Sequence, residues 1–356
     1  MVPVYIGSTM GYSGKSLVTL GLALKMQEDG LGVGYMKPFG RVPMVERGVL
    51  TDGDASFMKK VLDLKAPSEK LCPVVYSQDL LADALRGRGK DMMRKVLQAY
   101  ASVSRGMDVT LIGGARDVHD GSFLGISGLR LIRETGAKVV MVDPFSGEVC
   151  VDCLLAVRDM VGDSLVGAVI NKVPPEGMEY LRGMVAPFLK KKGIPLLGML
   201  PSDKLLNSIT VRQITESLGG TALCCEEKQD ELVENLSIGA MDVESALKYF
   251  RRTPNKAVIT GGHRADIQLA ALETSTKCLV LTGDLLPNAL IISKAKASGV
   301  PVISVKYDTL ATVETLEAVL GKVRIREERK VARAMELMRT HFDYGAFYAK
   351  AGIRKP

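Results

Sequence analysis

The sequence predicts an α/β protein in two unequal parts: a parallel-sheet, three-layer domain with a phosphate-binding loop, then a smaller Rossmann-like α/β domain. Three observations carry this expectation. Short apolar runs alternate with amphipathic stretches, the pattern of parallel strands covered by helices. The length of 356 residues exceeds one ordinary domain of about 100–200 residues. The first apolar run leads directly into Gly7-Ser8-Thr9-Met10-Gly11-Tyr12-Ser13-Gly14-Lys15-Ser16, and an apolar helix pattern follows it. The composition agrees, with 47% hydrophobic, 24% charged and 5% aromatic residues, 36 Gly and no Trp. Those proportions exclude a disordered chain and a collagen-like repeat.

In order, the first part reads as strands over 2–7, 32–38, 109–113, 138–142, 165–171 and 195–200, with helices over 16–27, 89–104, 124–135 and 179–191 between them. It closes with a helix over 211–218, which Gly219-Gly220 stops. The charged stretch 226–235 reads as a connector. A second alternation follows, with strands at 257–259, 278–281 and 301–305 and helices at 264–273, 287–297 and 312–320. The expected division is therefore 1–220, 221–325 and a basic helical tail over 326–356. Ligand pockets of parallel sheets lie beyond the carboxyl ends of the strands. In the second part that criterion selects Thr260, Gly261, Gly262, His263, Arg264, Thr282, Gly283 and Asp308 as a ligand-site rim, with ordinary turn chemistry as the alternative.

The segment Gly7–Ser16 has the order strand, loop, helix. Glycines let backbone N–H groups approach phosphate oxygens, the helix N-terminus favours an anion, Lys15 reaches the β- and γ-phosphates, and Ser16 holds Mg²⁺. Thr9 stands where the strict motif has its first glycine, and Gly14-Lys15-Ser16 keeps the rest. The candidate cofactor-binding set is Thr9, Gly11, Ser13, Gly14, Lys15 and Ser16, and the expected cofactors are ATP and Mg²⁺.

Three runs, Gly7 to Ser16, Gly34-Tyr35-Met36-Lys37-Pro38 and Gly167-Ala168-Val169-Ile170-Asn171-Lys172, resemble dethiobiotin synthetase and the cobyrinic acid amidating enzymes. They are closer still to the synthetase-like amino-terminal domain of long phosphotransacetylases, and this resemblance spans about residues 1–220. It implies a P-loop NTPase domain. Val258–Asp266 and Val280–Gly283 resemble the DRTGG domain, a companion of such domains. The combination suggests the phosphotransacetylase family without its transacetylase catalytic domain. The resemblance implies phosphate and Mg²⁺ roles for Lys15 and Ser16, places Lys37 facing the transferred phosphoryl group or substrate, and makes Asp54 a Mg²⁺-linked aspartate, with Asp52 a substitute. For both aspartates, capping of the following helix is the alternative. Asn171 is implied as a contact to the base, with turn capping as its alternative. Gly113 stands where the relatives carry an acidic residue, which places hydrolysis in doubt, and Asp117 or Asp120 is the expected compensation. In the second domain His263 replaces an expected Asp, and Asp284 an expected Gly.

The formal charge of +7 is concentrated at the end of the chain, where residues 322–356 carry ten basic and four acidic side chains. The near-neutral remainder argues against a nucleic-acid surface, and the tail reads as a solvated helix. No run of about 18 apolar residues and no signal-peptide pattern is found, so a cytoplasmic location without a membrane partner is expected. The six Cys do not form a disulfide framework, and Cys150-Val151-Asp152-Cys153 reads as two helix cysteines. Three functions are compatible with these features. The first is a nucleotide-dependent regulator whose second domain binds a small molecule. The second is an ATP-dependent ligase acting on a small carboxylate, with Lys15 and Lys37 catalytic. The third is a scaffold, which leaves Lys15 without a role. A homo-oligomer is implied by the resemblance alone.

Overall fold

The computed structural model describes residues 1–88, 91–320 and 325–356. It divides into two compact units, Met1–Ser202 with Arg324–Pro356, and Asp203–Val323. The expected helix start at Gly89 and Lys90 lies outside the described residues, as do residues 321–324 of the expected second domain. Among the described residues no helix is long and apolar enough to cross a membrane.

The first unit is built on a six-stranded sheet of β1 (Val2–Gly7), β2 (Val33–Met36), β3 (Val109–Gly113), β4 (Lys138–Pro144), β5 (Leu165–Val173) and β6 (Leu196–Pro201). The order is β6-β5-β4-β1-β3-β2, and every neighbouring pair is parallel. Val4, Ile6, Leu111, Ile112, Val140 and Val169 are fully buried. Continuous apolar runs are what a sheet covered on both faces requires. The crossovers include α1 (Lys15–Glu28), α2 (Gly53–Val61), α3 (Met92–Val103), α4 (Gly128–Thr135) and α5 (Val149–Val161). The helix expected at 124–135 begins later because Gly125 takes a left-handed conformation and Ser127 caps α4. A hairpin of Pro43–Glu46 and Val49–Asp52 was not expected from the sequence. Its strands are short, and Met44, Val45, Val49 and Leu50 are exposed.

The second unit has a five-stranded sheet of β7 (Thr221–Cys224), β8 (Asn235–Ile238), β9 (Lys256–Gly261), β10 (Thr276–Thr282) and β11 (Val302–Ser304), in the order β7-β11-β10-β9-β8. β7 is the antiparallel edge. The stretch 226–235 is not a plain connector, since it holds the short strand Leu232–Val233, paired with Ile209–Thr210, and leads directly into β8. Helices α6 (Ala265–Leu272) and α7 (Thr309–Val319) follow β9 and β11. The expected 264–273 and 312–320 helices thus stand, the second beginning earlier, at Thr309, where Asp308 caps it.

The chain ends in α8 (Glu328–His341) and α9 (Tyr344–Ala351), which belong to the first unit. This corrects the expectation of a solvated tail. Ala334, Leu337, Met338, Phe342 and Phe347 are buried, and the Asp343 N–H donates to Leu197 O of β6 at 2.7 Å. Gly21 of α1 makes room for α8, because a Cβ there would lie 2.5 Å from Met338 Cγ. Asp29, the C-cap of α1, accepts from Tyr348 Oη at 2.8 Å and pairs with Lys355 at 3.1 Å. The tail's apolar stripe, at helical spacing, outweighs its charge count.

Candidate functional site

The site lies at the carboxyl ends of the first unit's strands, where β1 turns into α1. Gly14 caps α1 with φ +101°, a left-handed conformation that favours glycine. A Cβ at this position would overlap Asn171 Nδ2. Asn171, near the end of β5, donates instead to Ser13 O at 2.9 Å. This bond clamps the loop from β5.

Lys15 opens α1. Its ammonium donates to Ser8 Oγ at 2.6 Å and to Arg116 O at 3.0 Å, both neutral oxygens. Desolvation is the largest influence on Lys15 and pushes it down to about 8, against Asp143, Asp117 and Asp54, which favour its charge, and with Lys37, which opposes it. Ser16 is exposed on the first turn of α1. Gly11 lies against Arg116, whose Cγ would be 3.1 Å from a Cβ there.

Lys37 follows β2 and is 7% exposed. It donates to Asp52 Oδ1 at 2.9 Å and to Asp54 Oδ2 at 2.6 Å. Desolvation works against its charge, yet Asp54 and Asp52 outweigh it and raise its pKa. Asp52 also caps α2, accepting from Asp54 N at 2.9 Å and Ala55 N at 3.3 Å, and takes the Val42 N–H at 2.8 Å. The capping alternative is thus the arrangement observed for Asp52, while Asp54 is an ion-pair partner of Lys37 in the first turn of α2.

Gly113 ends β3, and a Cβ there would lie 3.2 Å from Tyr35 Oη and 3.7 Å from Met36 O. Tyr35 packs where a longer side chain at 113 would start, so no carboxylate projects from this strand end. The expected compensation is already engaged. Asp120 accepts from Arg41 Nε at 2.9 Å, from Arg41 Nη2, and from Arg116 N at 3.1 Å. Asp117 accepts from His119 N at 2.9 Å and lies 3.5 Å from Arg116 Nε.

Sequence reasoning missed Asp143, at the end of β4. It is 1% exposed and accepts from Thr9 N at 2.8 Å and Thr9 Oγ1 at 3.0 Å. Burial raises its pKa, and the Thr9 bonds oppose the rise. A strand-end acid on the apolar run 138–144 is the only signal, and it is a weak one.

In the second unit the selected residues do gather at the strand ends, mostly in structural roles. Thr260 Oγ1 donates to Gly239 O at 3.0 Å. The Gly262 N–H donates to Thr282 O at 3.2 Å, and the Gly283 N–H to Tyr307 O at 2.9 Å. Thr282 and Thr309 share a hydroxyl contact of 3.0 Å. Arg264 is tied to Asp266 at 3.0 Å and to Met241 O at 3.1 Å. Asp308 caps α7 through the Ala311 N–H at 2.8 Å. His263 packs beside Gly261, its Cε1 2.7 Å from where a Cβ would stand. Gln268 of α6, which the sequence reading did not select, donates to Gly261 O and Gly262 O at 3.0 and 3.1 Å and keeps a buried carbonyl oxygen without a partner among the described residues.

A glycine-led loop between a parallel strand and a helix, with a lysine folded into it, defines a P-loop α/β protein. Residues 3–210 match the family model described as an AAA domain, and residues 213–319 match the DRTGG domain. The chain belongs to the AAA-domain family and carries a DRTGG domain behind it. Among curated relatives, a phosphate acetyltransferase of Pseudomonas putida is 22% identical over 99% of this chain and 52% of its own length. A phosphate acetyltransferase of Nitratidesulfovibrio vulgaris is 25% identical over 96% of this chain and 50% of its own length. The chain thus spans about half the length of the curated relatives it matches. Two solved structures are also similar. The CBS and DRTGG regulatory region of Clostridium perfringens pyrophosphatase, complexed with diadenosine tetraphosphate, is 22% identical, covers 45% of this chain and 75% of its own, and has a TM-score of 0.30. A nucleotide-binding protein from Archaeoglobus fulgidus, in complex with ADP, is 18% identical, covers 57% and 82%, and has a TM-score of 0.32.

Proposed function

We propose that the chain binds ATP with Mg²⁺ at Gly7–Ser16 and acts as a nucleotide-dependent regulatory protein, with the DRTGG domain holding a small-molecule ligand. The observation that carries the reading is the Lys15 ammonium. It is folded into a glycine-shaped loop against neutral oxygens, and no carboxylate of the described residues pairs with it. A cation left in that state is matched by a polyanion arriving at the helix N-terminus.

The donor set fits a nucleotide: Gly14 leaves the backbone open, Lys15 supplies charge, and Asn171 fixes the far side of the loop. For the metal, the Ser16 hydroxyl is the protein ligand at hand, while Asp54 is engaged by Lys37. When bound, Mg²⁺ offsets the charge of the phosphates. The second reading, a ligase that activates a small carboxylate, draws support from the buried Lys37 cation. Its two carboxylate partners and the glycine at 113 favour regulation instead.

The test is calorimetric titration of ATP, ADP and GTP with Mg²⁺ into the full chain, with phosphate release assayed in the same samples. ATP binding that Lys15→Ala weakens at least about a hundredfold, with slow release, is expected. Turnover of about 1–10³ s⁻¹ in the presence of small carboxylates would establish the ligase instead. Equal affinity in the variant would falsify the nucleotide site.

A further inference from the structure

Asp143 holds the phosphate loop from outside the contiguous motif. Both donors to its Oδ1, the N–H at 2.8 Å and the hydroxyl at 3.0 Å, come from Thr9. One carboxylate oxygen thereby fixes the backbone and the side chain of a single loop residue. Its other oxygen, Oδ2, is buried and has no hydrogen-bond partner among the described residues. Such an atom is costly in a folded protein and calls for an explanation. The far half of the loop is held by Asn171 through Ser13 O at 2.9 Å. The two clamps stand on neighbouring strands, where Pro144 is in register with Asn171 and the Phe145 N–H donates to Asn171 O at 2.8 Å. The loop between them contains Tyr12 at φ +56°, a conformation that a free chain of L-residues rarely keeps.

We propose that Asp143 is the positioning residue of the phosphate loop, holding Thr9 so that the segment between the two clamps keeps the shape that receives the phosphates. The inference rests on the nucleotide reading.

The experiment titrates ATP with Mg²⁺ into the full chain as wild type, Asp143→Asn, Asp143→Leu and Thr9→Val, at one pH, with the thermal midpoint recorded for each. Asp143→Leu removes the acceptor for both Thr9 donors, and its affinity is expected to fall at least about tenfold, as for the loss of a hydrogen bond to a charged group. Asp143→Asn keeps an acceptor oxygen. It is expected to bind within about threefold of wild type, a rescue by the conservative variant that assigns the effect to the acceptor held against Thr9. Thr9→Val, which loses one donor, is expected to fall between these two. If Asp143→Leu does not fold, the Asn and Val variants decide the matter. A Thr9→Val or Asp143→Leu protein that binds as tightly as wild type overturns the inference, as does an Asn variant that binds as weakly as Asp143→Leu. A wild type that binds no ATP overturns the nucleotide reading, and the inference with it; that failure appears in a separate arm.

Discussion

Lys37, Asp52 and Asp54 form a small ionic cluster whose energetics differ from those of Lys15. Lys15 is a cation answered by neutral oxygens, whereas Lys37 is answered twice over, at 2.9 and 2.6 Å, in a setting where Asp52 is 0% exposed. Breaking a buried pair from one side leaves an uncompensated charge and costs about 3–5 kcal/mol. Asp52→Ala also removes the cap of α2 and the acceptor for Val42 N. Chemical denaturation is therefore expected to register a loss of about that size, and a loss under about 1 kcal/mol would show the cluster to be dispensable. At this scale the legible part of the site was the contiguous part. Gly14, Lys15 and Ser16 announce themselves because strand, turn and helix must follow one another directly in a phosphate loop. Asp143 lies 134 positions from Thr9, and no spacing rule links two residues that only the β1–β4 pairing brings together. The glycine at 113 was visible as a departure, but the Tyr35 ring that packs against it was not.

Elements were legible where both faces of a strand are buried and illegible where packing is one-sided or short. The six strands of the first sheet read as unbroken apolar runs, while the 43–52 hairpin, with its apolar side chains exposed, offers neither alternation nor burial as a signal. The tail misleads in the opposite sense, since Arg333, Arg339 and Lys355 flank an apolar stripe and are themselves paired, Arg339 with Glu28 and Lys355 with Asp29. Asp29 joins α1 to α9. Burial would raise its pKa, but hydrogen bonds from Lys25, Tyr348 and Lys355 outweigh that and hold it down at about 2. A group with a depressed folded pKa stabilises the native state above the ordinary carboxylate range, and that contribution is lost as pH falls toward the folded value. Asp29→Asn is therefore expected to lower the thermal midpoint at pH 7 and to make little difference near pH 2. A deficit that persists unchanged at pH 2 would assign the effect to packing, not charge.

At the scale of the whole molecule, two cores share one chain, and the first is discontinuous in sequence, with residues 324–356 returning to the unit formed by 1–202. A boundary sought from composition falls near the Gly219-Gly220 stop, because the charged stretch after it resembles a linker. The contacts place the division at Ser202 instead, and the short Ile209–Thr210 strand pairs with Leu232–Val233 inside the second unit. Regulation requires more than two folded units. It requires a coupling free energy between them, typically about 1–3 kcal/mol, and binding linkage makes that coupling reciprocal. Under the proposed reading, ATP bound to the first unit would stabilise it by about 2.7 kcal/mol at a hundredfold excess over the dissociation constant. If the units are uncoupled, only one calorimetric transition moves. If the proposed regulatory reading holds, Mg²⁺ and ATP should shift the melting of the 203–323 unit as well, and Lys15→Ala should abolish both shifts together. A second transition that ignores the nucleotide, in a protein whose first transition responds to it, would leave a nucleotide-binding protein without the regulatory link.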